Sequence, residues 1–134
     1  MPTIQEALAL GWRYHQADQF VQAEQIYRQL SQQDPCNADA AYLLGLACQA
    51  QGKIQEALGA LQQAVHLKPE HVEAYNSLGV LFTNLGRLPE ARACFGRAIS
   101  SRPGYADLHN NLGVVLAQQG RLDEAAAKIG RAHV

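Results

Sequence analysis

Residues that favour β-strands are scarce in this sequence. Val, Ile and Thr together contribute only 14 of the 134 residues, whereas Ala, Leu and Gln contribute 22, 17 and 15. Ala, Leu and Gln are good helix formers, while β-branched side chains are enriched in strands. The composition therefore predicts an all-α protein. A chain of 134 residues, 48% of them hydrophobic, is long and apolar enough to form one globular domain with its own core.

An excess of charge of either sign is also missing. The chain has 11 basic and 12 acidic residues and a net charge of −1. A basic surface for nucleic acid or anionic lipid is therefore not expected, and neither class of partner is predicted. The longest nearly apolar run, Ala40–Cys48, covers about nine residues, whereas a helix that crosses a bilayer needs roughly 20. Residues 1–11 lack a positively charged start and include Glu6, so we expect no signal peptide and a cytoplasmic location.

Residue patterns that carry chemistry are absent as well. The three cysteines, Cys36, Cys48 and Cys94, form no Cys-x-x-Cys pair, which argues against a zinc site or a disulfide framework and favours reduced thiols. His66 and His71 are five residues apart across a helix end, so we interpret them as solvated surface residues rather than a metal pair. No phosphate-binding loop, activated nucleophile or carboxylate pair is recognisable. We therefore expect no metal, no cofactor and no catalytic residue.

The sequence instead shows a repeat of 34 residues. A fixed period of this length indicates a solenoid built from stacked helical units. Five columns share the same register: one of proline, one of glycine, one of alanine, one of leucine and one of bulky apolar residues. Their members are Pro35, Pro69 and Pro103; Gly11, Gly45, Gly79 and Gly113; Ala23, Ala57, Ala91 and Ala125; Leu10, Leu44, Leu78 and Leu112; and Tyr27, Leu61, Phe95 and Ile129.

Each repeat is predicted to be a pair of antiparallel helices. The units cover residues 4–37, 38–71, 72–105 and 106–134, the last one truncated, and together they form one domain, 1–134. Turn residues at 17–18, 52–53, 86–87 and 120–121 divide each unit into a first helix at repeat positions 1–14 and a second helix at positions 17–30. We expect glycine at position 8 and alanine at position 20 to let the two helices approach, with positions 7 and 24 filling the space beside them.

These columns resemble the tetratricopeptide repeat family, whose pattern has a small residue at position 8, Ala at 20, an aromatic residue at 24, Ala at 27 and Pro at 32. Ala64, Ala98 and Ala132 match position 27, and Leu30 departs from it. The resemblance covers essentially the whole chain. It implies an αα-superhelix of about four hairpins, a non-enzymatic role in protein–protein interaction, and a concave groove lined by positions 2, 5, 9, 12 and 13 of the first helices.

The groove positions combine apolar side chains with amides, a pattern suited to a peptide or helix of a protein partner. The candidate binding residues are Leu8, Trp12, Tyr42, Leu46, Gln49, Asn76, Val80, Thr83, Asn110 and Val114. An alternative is that Trp12 and Tyr42 cover the open end of a short solenoid. Asp39, Glu73 and Asp107 each lie in the first turn of a helix, where a carboxylate favours the helix dipole, and we interpret them in that way.

Two narrower resemblances lead in different directions. Chaperone adaptors of the family grip a C-terminal carboxylate with Lys and Asn side chains, but the corresponding places here hold Leu8, Trp12, Leu43, Glu73 and Ser77. That clamp is therefore not expected. The segments 110–113 and 120–125 resemble the repeats of O-linked N-acetylglucosamine transferase, although the Asn ladder of those repeats, at position 6, is represented only by Asn111. The alternative function is thus substrate or partner recognition in a larger transferase whose catalytic domain is absent here.

The end of the sequence leaves two further questions. Ala125, Ile129 and Ala132 would present an apolar face without a following unit, which predicts either a fragment of a longer repeat protein or self-association through the exposed terminal repeat. Residues 129–134 also resemble a translated sequencing adapter, in which case they are not native. Against this, residues 130–132 repeat residues 96–98 one period later, so both interpretations stay open.

Overall fold

The computed structural model describes residues 2–132, with side chains described up to residue 129, and this part of the chain forms seven α-helices and no strands. The helices are α1 (Ile4–Gln16), α2 (Phe20–Gln33), α3 (Ala38–Ala50), α4 (Ile54–Leu67), α5 (Val72–Asn84), α6 (Leu88–Ser101) and α7 (Ala106–Ala132). Consecutive helices pack against each other along the chain, so the first six form three stacked hairpins. The all-α solenoid predicted from the composition and the period is confirmed.

Local signals set the bounds of the first six helices. The three second helices begin and end at the predicted residues, and the three first helices end one residue earlier than predicted. The side chains of Thr3, Asn37 and His71 cap α1, α3 and α5 by accepting a backbone N–H from the first turn. Pro89 lies in the first turn of α6, where its missing N–H leaves no hydrogen bond unmade.

The turn inside each complete hairpin depends on one residue with a left-handed backbone. Asp18, Gly52 and Gly86 occupy the same repeat position and have φ values of 59°, 77° and 75°. Glycine adopts this conformation without steric cost, and Asp is among the few other residues that tolerate it. These three residues end each first helix and reverse the chain into the second.

The fourth hairpin does not form, so the prediction of four hairpins is wrong on this point. The predicted turn at Gly120 and Arg121 lies inside α7, which continues for 27 residues. In each complete hairpin the second helix packs against its own first helix and also against the first helix of the next repeat. A second helix in the fourth repeat would have no following helix within the described residues, whereas a continuous α7 keeps its backbone hydrogen bonds unbroken. Of the terminal segment 129–134, His133 and Val134 lie outside the described residues.

The glycine column lies closest to the bulky residues at position 24, while the predicted alanine at position 20 is farther away, with the carbonyl oxygen of Ala57 3.4 Å from a Cβ on Gly45. A Cβ added to Gly45 would lie 2.7 Å from Cγ of Leu61, and one added to Gly79 would lie 2.5 Å from a ring carbon of Phe95. Gly11 has the same relation to the ring of Tyr27. The glycine at position 8 therefore makes room for the bulky side chain at position 24, rather than chiefly for the alanine at position 20. The alanines Ala23, Ala57 and Ala91 are nevertheless completely buried.

The core runs along the stack rather than collecting at one centre. Its largest cluster joins α3 to α7 through side chains such as Leu61, Phe95 and Leu108, and a smaller cluster joins α1 and α2 to α3. Only the first half of α7 contributes buried side chains, since every side chain described from Arg121 to Ile129 is exposed. Among the helices within residues 2–132, none has the length and hydrophobicity needed to cross a membrane.

Candidate partner-binding surface

The first helices of the repeats form one continuous face. α1 contacts α3 and α5 contacts α7, so residues from successive repeats are brought side by side. Two clefts lie along this face, of about 410 Å³ and 120 Å³. The larger, here called the proximal cleft, is lined by Leu8, Asp39, Tyr42, Leu43, Lys68, His71 and Glu73. The smaller, the distal cleft, is lined by Val80, Thr83, Asn84, Phe95, Asn111 and Val114.

The proximal cleft combines apolar side chains with an excess of negative charge. Leu8 and Tyr42, both predicted for the groove, are half-buried here. Burial is the main reason why the pKa of the Tyr42 hydroxyl lies above its ordinary value. Among the lining residues, Asp39 and Glu73 bring two carboxylates and Lys68 one ammonium group, while the guanidinium of Arg102 lies 3.4 Å from Glu73 and leaves Asp39 as the less compensated carboxylate. A cleft of this kind favours an apolar or basic side chain over an acidic one.

His71 is buried, so its interpretation as a solvated surface histidine is wrong. The residue is only 5% exposed, and its ring lies 4.9 Å from that of Tyr42, measured between centroids. Its Nδ1 accepts the backbone N–H of Ala74 at 3.2 Å, and its Nε2 lies 3.1 Å from Oδ1 of Asp39. Because Nδ1 is an acceptor, Nε2 carries the proton and donates to the Asp39 carboxylate. His66, in contrast, is exposed.

Position 34 of the repeat explains why His71 belongs to this site. The equivalent Asn37 also caps a helix with its side chain, by accepting the N–H of Ala40 at 3.0 Å. The repeat register alone could therefore have identified His71 as an N-cap, with a ring held against the helix that follows.

The acidic residues in the first turns have side-chain partners in addition to the helix dipole. Asp39 accepts a hydrogen bond from His71, and Oε1 of Glu73 lies 3.4 Å from the guanidinium group of Arg102.

The distal cleft is formed between α5 and α7. Val80, Thr83 and Val114, all predicted for the groove, line it together with the ring of Phe95. Thr83 turns its hydroxyl inward and donates to the carbonyl of Gly79 at 2.7 Å, which leaves its methyl group for apolar contact. Val114 is 47% exposed and offers the largest free apolar surface at this cleft.

Five other predicted residues do not line either cleft. Asn76 accepts a hydrogen bond from the amide of Asn111 at 3.0 Å, so it fixes α7 against α5. Trp12 is 40% exposed and stacks on His15, with ring centroids 5.0 Å apart. The remaining three differ in exposure: Leu46 and Gln49 are half-buried on α3, and Asn110 is exposed on α7.

A polar cluster between the first two hairpins was not anticipated from the sequence. Glu24 is 7% exposed and accepts hydrogen bonds from Arg28 at 2.6 Å, Gln51 at 2.7 Å and Lys53 at 3.0 Å. Burial would raise the pKa of Glu24, but the hydrogen bonds from these three side chains outweigh it and lower the pKa to about 2. The cluster therefore ties the first hairpin to the second through charged groups.

The same cluster contains a set of atoms with metal-ligand chemistry. Ligand atoms of Glu24, Cys48 and Glu56 all lie within 4.8 Å of one another. However, Arg28 bonds to both carboxylates, reaching Glu56 at 3.0 Å, and the pKa of Cys48 is raised, chiefly by burial, which favours a neutral thiol over a thiolate. The guanidinium group of Arg28 and the ammonium group of Lys53 thus already neutralise the carboxylates of Glu24 and Glu56, and the arrangement is that of an ion-pair network.

Solved structures with the same fold include several helical-repeat proteins. A crystal structure of MamA has a TM-score of 0.83 at 27% identity, covering 93% of this chain and 73% of that one. The Sgt2 TPR domain from Aspergillus fumigatus has a TM-score of 0.86 at 16% identity, covering 94% and 85%. The first TPR of Spaghetti (RPAP3), bound to an HSP90 peptide, SRMEEVD, has a TM-score of 0.83 at 20% identity, covering 87% and 93%.

Comparison of the sequence with curated proteins gives no match. The structural similarities above support the repeat fold and give no support for the narrower resemblance to the O-linked N-acetylglucosamine transferase repeats. A family model described as tetratricopeptide repeat matches residues 8–58, 49–95 and 82–134. Solenoids of this type present extended surfaces on which partners bind, and their repeats are typically protein–protein interaction modules. The chain belongs to the tetratricopeptide repeat family.

Proposed function

We propose that the chain is a non-enzymatic interaction scaffold that binds a peptide or helix of a protein partner along the face formed by α1, α3, α5 and α7. The observation that carries this proposal is the pair of clefts on one face, each lined by residues predicted for the groove. Apolar side chains in the two clefts provide anchoring sites. Polar groups beside them provide hydrogen bonds to the ligand backbone, a combination typical of peptide recognition.

The charges of the proximal cleft determine which peptides fit. Asp39 and Glu73 would repel a C-terminal carboxylate, and the Lys and Asn clamp of the chaperone adaptors has no counterpart at Leu8, Leu43 and Ser77. We infer that the ligand is an internal segment with two or more apolar anchors and neutral or basic residues near the proximal cleft. The HSP90 peptide seen on the RPAP3 domain, which is acidic at its C-terminal end, would bind weakly here.

We favour this function over the transferase alternative. That alternative depends on Asn side chains at position 6 that hold a substrate backbone, and Asn111 is the one such residue. Its amide already donates to Asn76 within the chain at 3.0 Å.

Selection from a random peptide library displayed on phage, with the chain as bait, tests the proposal. We expect enriched peptides to carry spaced apolar residues and to bind equally well with a blocked C-terminus. The affinities are then measured by fluorescence anisotropy for Trp12→Ala combined with Asn110→Ala, and separately for Tyr42→Ala combined with Val80→Ala. We expect losses of about tenfold or more, with helicity retained.

A control variant carries changes of the same kind away from the proposed face. Val21 on α2 is 55% exposed, and Gln62 on α4 is also exposed, so Val21→Ala combined with Gln62→Ala removes similar groups from the second helices. This variant should bind as the wild type does. If the control loses affinity and the groove variants keep it, the binding surface lies on the other face and the proposal is wrong.

A further inference from the structure

Three buried polar atoms of the first repeat have no hydrogen-bond partner among the described residues. They are Nδ1 of His15 and the hydroxyls of Tyr27 and Ser31. The hydroxyl of a helical serine can turn to a carbonyl of its own helix, but Tyr and His side chains are too long to do so. Tyr27 is 0% exposed, and a buried polar group of this kind lowers stability unless another group completes its hydrogen bond.

The repeat register shows where the Tyr27 hydroxyl is aimed. Tyr27 occupies the repeat position of Phe95, whose ring reaches the distal cleft from the second helix of its hairpin. The two rings lie on their glycines in the same way. A Cβ on Gly11 would be 2.5 Å from Cε1 of Tyr27, and a Cβ on Gly79 would be 2.5 Å from Cε1 of Phe95. The Tyr27 hydroxyl extends the tip of its ring and is therefore aimed at the equivalent place between α1 and α3.

This place corresponds to the distal cleft two repeats earlier and is here called the first-repeat subsite. It carries larger side chains than the distal cleft does, since Trp12 takes the position of Val80 and Leu43 takes the position of Asn111. Its six residues, by repeat position, are Trp12, His15, Gln16, Tyr27, Leu43 and Leu46. The unpaired atoms of His15 and Tyr27 therefore belong to one set of positions, on the face proposed for peptide binding.

Trp12 is the side chain of this subsite that is free to move. Its ring stacks on that of His15, with centroids 5.0 Å apart and an angle of 13° between the planes. Trp12 is 40% exposed, so its ring can turn towards solvent. His15 is also held by an edge contact with the ring of Phe20, at 5.0 Å between centroids. Rotation of Trp12 would therefore open a path into the subsite while His15 stays in place.

We propose that the first-repeat subsite takes an Asn or Gln side chain of the bound peptide, which enters as Trp12 moves aside and pairs with the Tyr27 hydroxyl and Nδ1 of His15. This inference rests on the proposed peptide-binding function and adds a third anchoring point to the two clefts. A carboxamide both donates and accepts hydrogen bonds, so one group can serve both atoms. Because side chains cover both atoms, a side chain of the peptide can reach them and its backbone cannot.

The surroundings of the two atoms favour an uncharged ligand group. Burial raises the pKa of Tyr27 to about 12, and burial is also the main reason why the pKa of His15 lies below its ordinary value. Both side chains are therefore neutral at pH 7. The six positions of the subsite carry no Asp, Glu, Lys or Arg. A carboxylate or an ammonium group would lose its hydration there without gaining a partner of opposite charge.

The stability of Tyr27→Phe tests whether the hydroxyl is unpaired in the free chain. Phe already occupies this repeat position as Phe95, so the substitution keeps the packing of the ring. Because it removes a buried hydroxyl without a partner, Tyr27→Phe should have a Tm no lower than that of the wild type. A Tm that falls by several degrees would show that the hydroxyl is already paired in the folded chain, and the proposal would be wrong.

Peptide binding tests the ligand chemistry. A selected peptide with Asn or Gln is compared with an analogue carrying Leu in its place. By fluorescence anisotropy, the wild type should bind the amide peptide about fivefold or more tightly than the analogue, whereas Tyr27→Phe should bind the two equally. Tyr75→Phe is the matched control and should keep the preference, since Tyr75 is half-buried on α5, with Arg97 over its ring.

Trp12 reports entry into the subsite directly, because it is the only tryptophan of the chain. Saturation with the amide peptide should change its emission spectrum, and an unchanged spectrum would overturn the proposal. If Tyr27→Phe keeps the preference for the amide, or if selected peptides lack Asn and Gln, the subsite is wrong but binding at the two clefts stands. If no peptide is selected, the proposed function fails and this inference fails with it.

Discussion

The contact between Gly79 and Phe95 predicts opposite effects for the same substitution at different glycines. Ala is favoured over Gly in a helix by about 1 kcal/mol, and this gain applies to any glycine inside one of these helices. At Gly79, however, the added Cβ would lie 2.5, 2.6 and 2.8 Å from three carbons of the Phe95 ring. Ordinary contacts between carbon atoms are about 3.5–4.0 Å. Phe95 is 1% exposed and its ring borders the distal cleft, so the ring can move only by shifting into that small cleft and losing part of its packing.

The magnitude follows from comparison with a glycine in open surroundings. A Cβ at Gly59 would meet no atom within 4 Å, so Gly59→Ala should stabilise the chain by about 1 kcal/mol. Gly79→Ala has the same gain but adds the cost of overpacking, about 1–3 kcal/mol. The two variants should therefore differ by about 1–3 kcal/mol in free energy of unfolding, which corresponds to about 4 °C in Tm for each kcal/mol.

The assay is guanidinium unfolding followed by far-UV circular dichroism, with all variants at one protein concentration. Gly113→Ala provides a second control at the same repeat position as Gly79, since its Cβ would also meet open space. If Gly79→Ala stabilises the chain as much as Gly59→Ala does, the helices do not approach as closely as described and the reasoning is refuted.

Two further predictions concern the buried polar and thiol groups. Because the folded-state pKa of Glu24 is about 2, below the ordinary 4.5, its stabilising contribution is complete above about pH 4.5 and is lost as the pH falls towards 2. Glu24→Gln should cost about 1–3 kcal/mol at neutral pH, and the difference from wild type should shrink in acid; a constant difference would contradict this assignment. Cys36 is exposed, whereas Cys48 and Cys94 are buried, and burial raises the pKa of Cys94 to about 11. A thiol reagent should therefore label one cysteine quickly and three after unfolding, and Cys36→Ser should remove the fast phase, whereas two or more fast thiols would show that the core opens.

The candidate site was only partly predictable from the repeat register. Register placed Leu8, Tyr42, Val80, Thr83 and Val114 on one face, and the structure brings these five into two clefts. These residues share a face because the direction of a side chain on a helix depends on its spacing from its neighbours. That they bind a partner stays a prediction. The ion pairs and hydrogen bonds of the proximal cleft were harder to predict from the sequence, because they join residues about one repeat apart, such as Asp39 and His71.

The sequence by itself determined the three complete hairpins. Turn residues such as Gly52 and Gly86, and caps such as Asn37, act through the backbone within a few residues of themselves, so their effect can be read locally. Repetition at 34 residues then determined how these hairpins follow one another. Neither step needed knowledge of contacts between distant residues.

Only the tertiary structure decided the rest. Gly120 has the residue type of a turn, yet it lies inside α7, and the side chains described from Arg121 to Ile129 are all exposed. His71 is buried because the ring of Tyr42 and the carboxylate of Asp39 come to it from the preceding repeat. Whether a turn forms and whether a side chain is buried depend on the free energy of packing, and packing depends on which elements are present to cover each face.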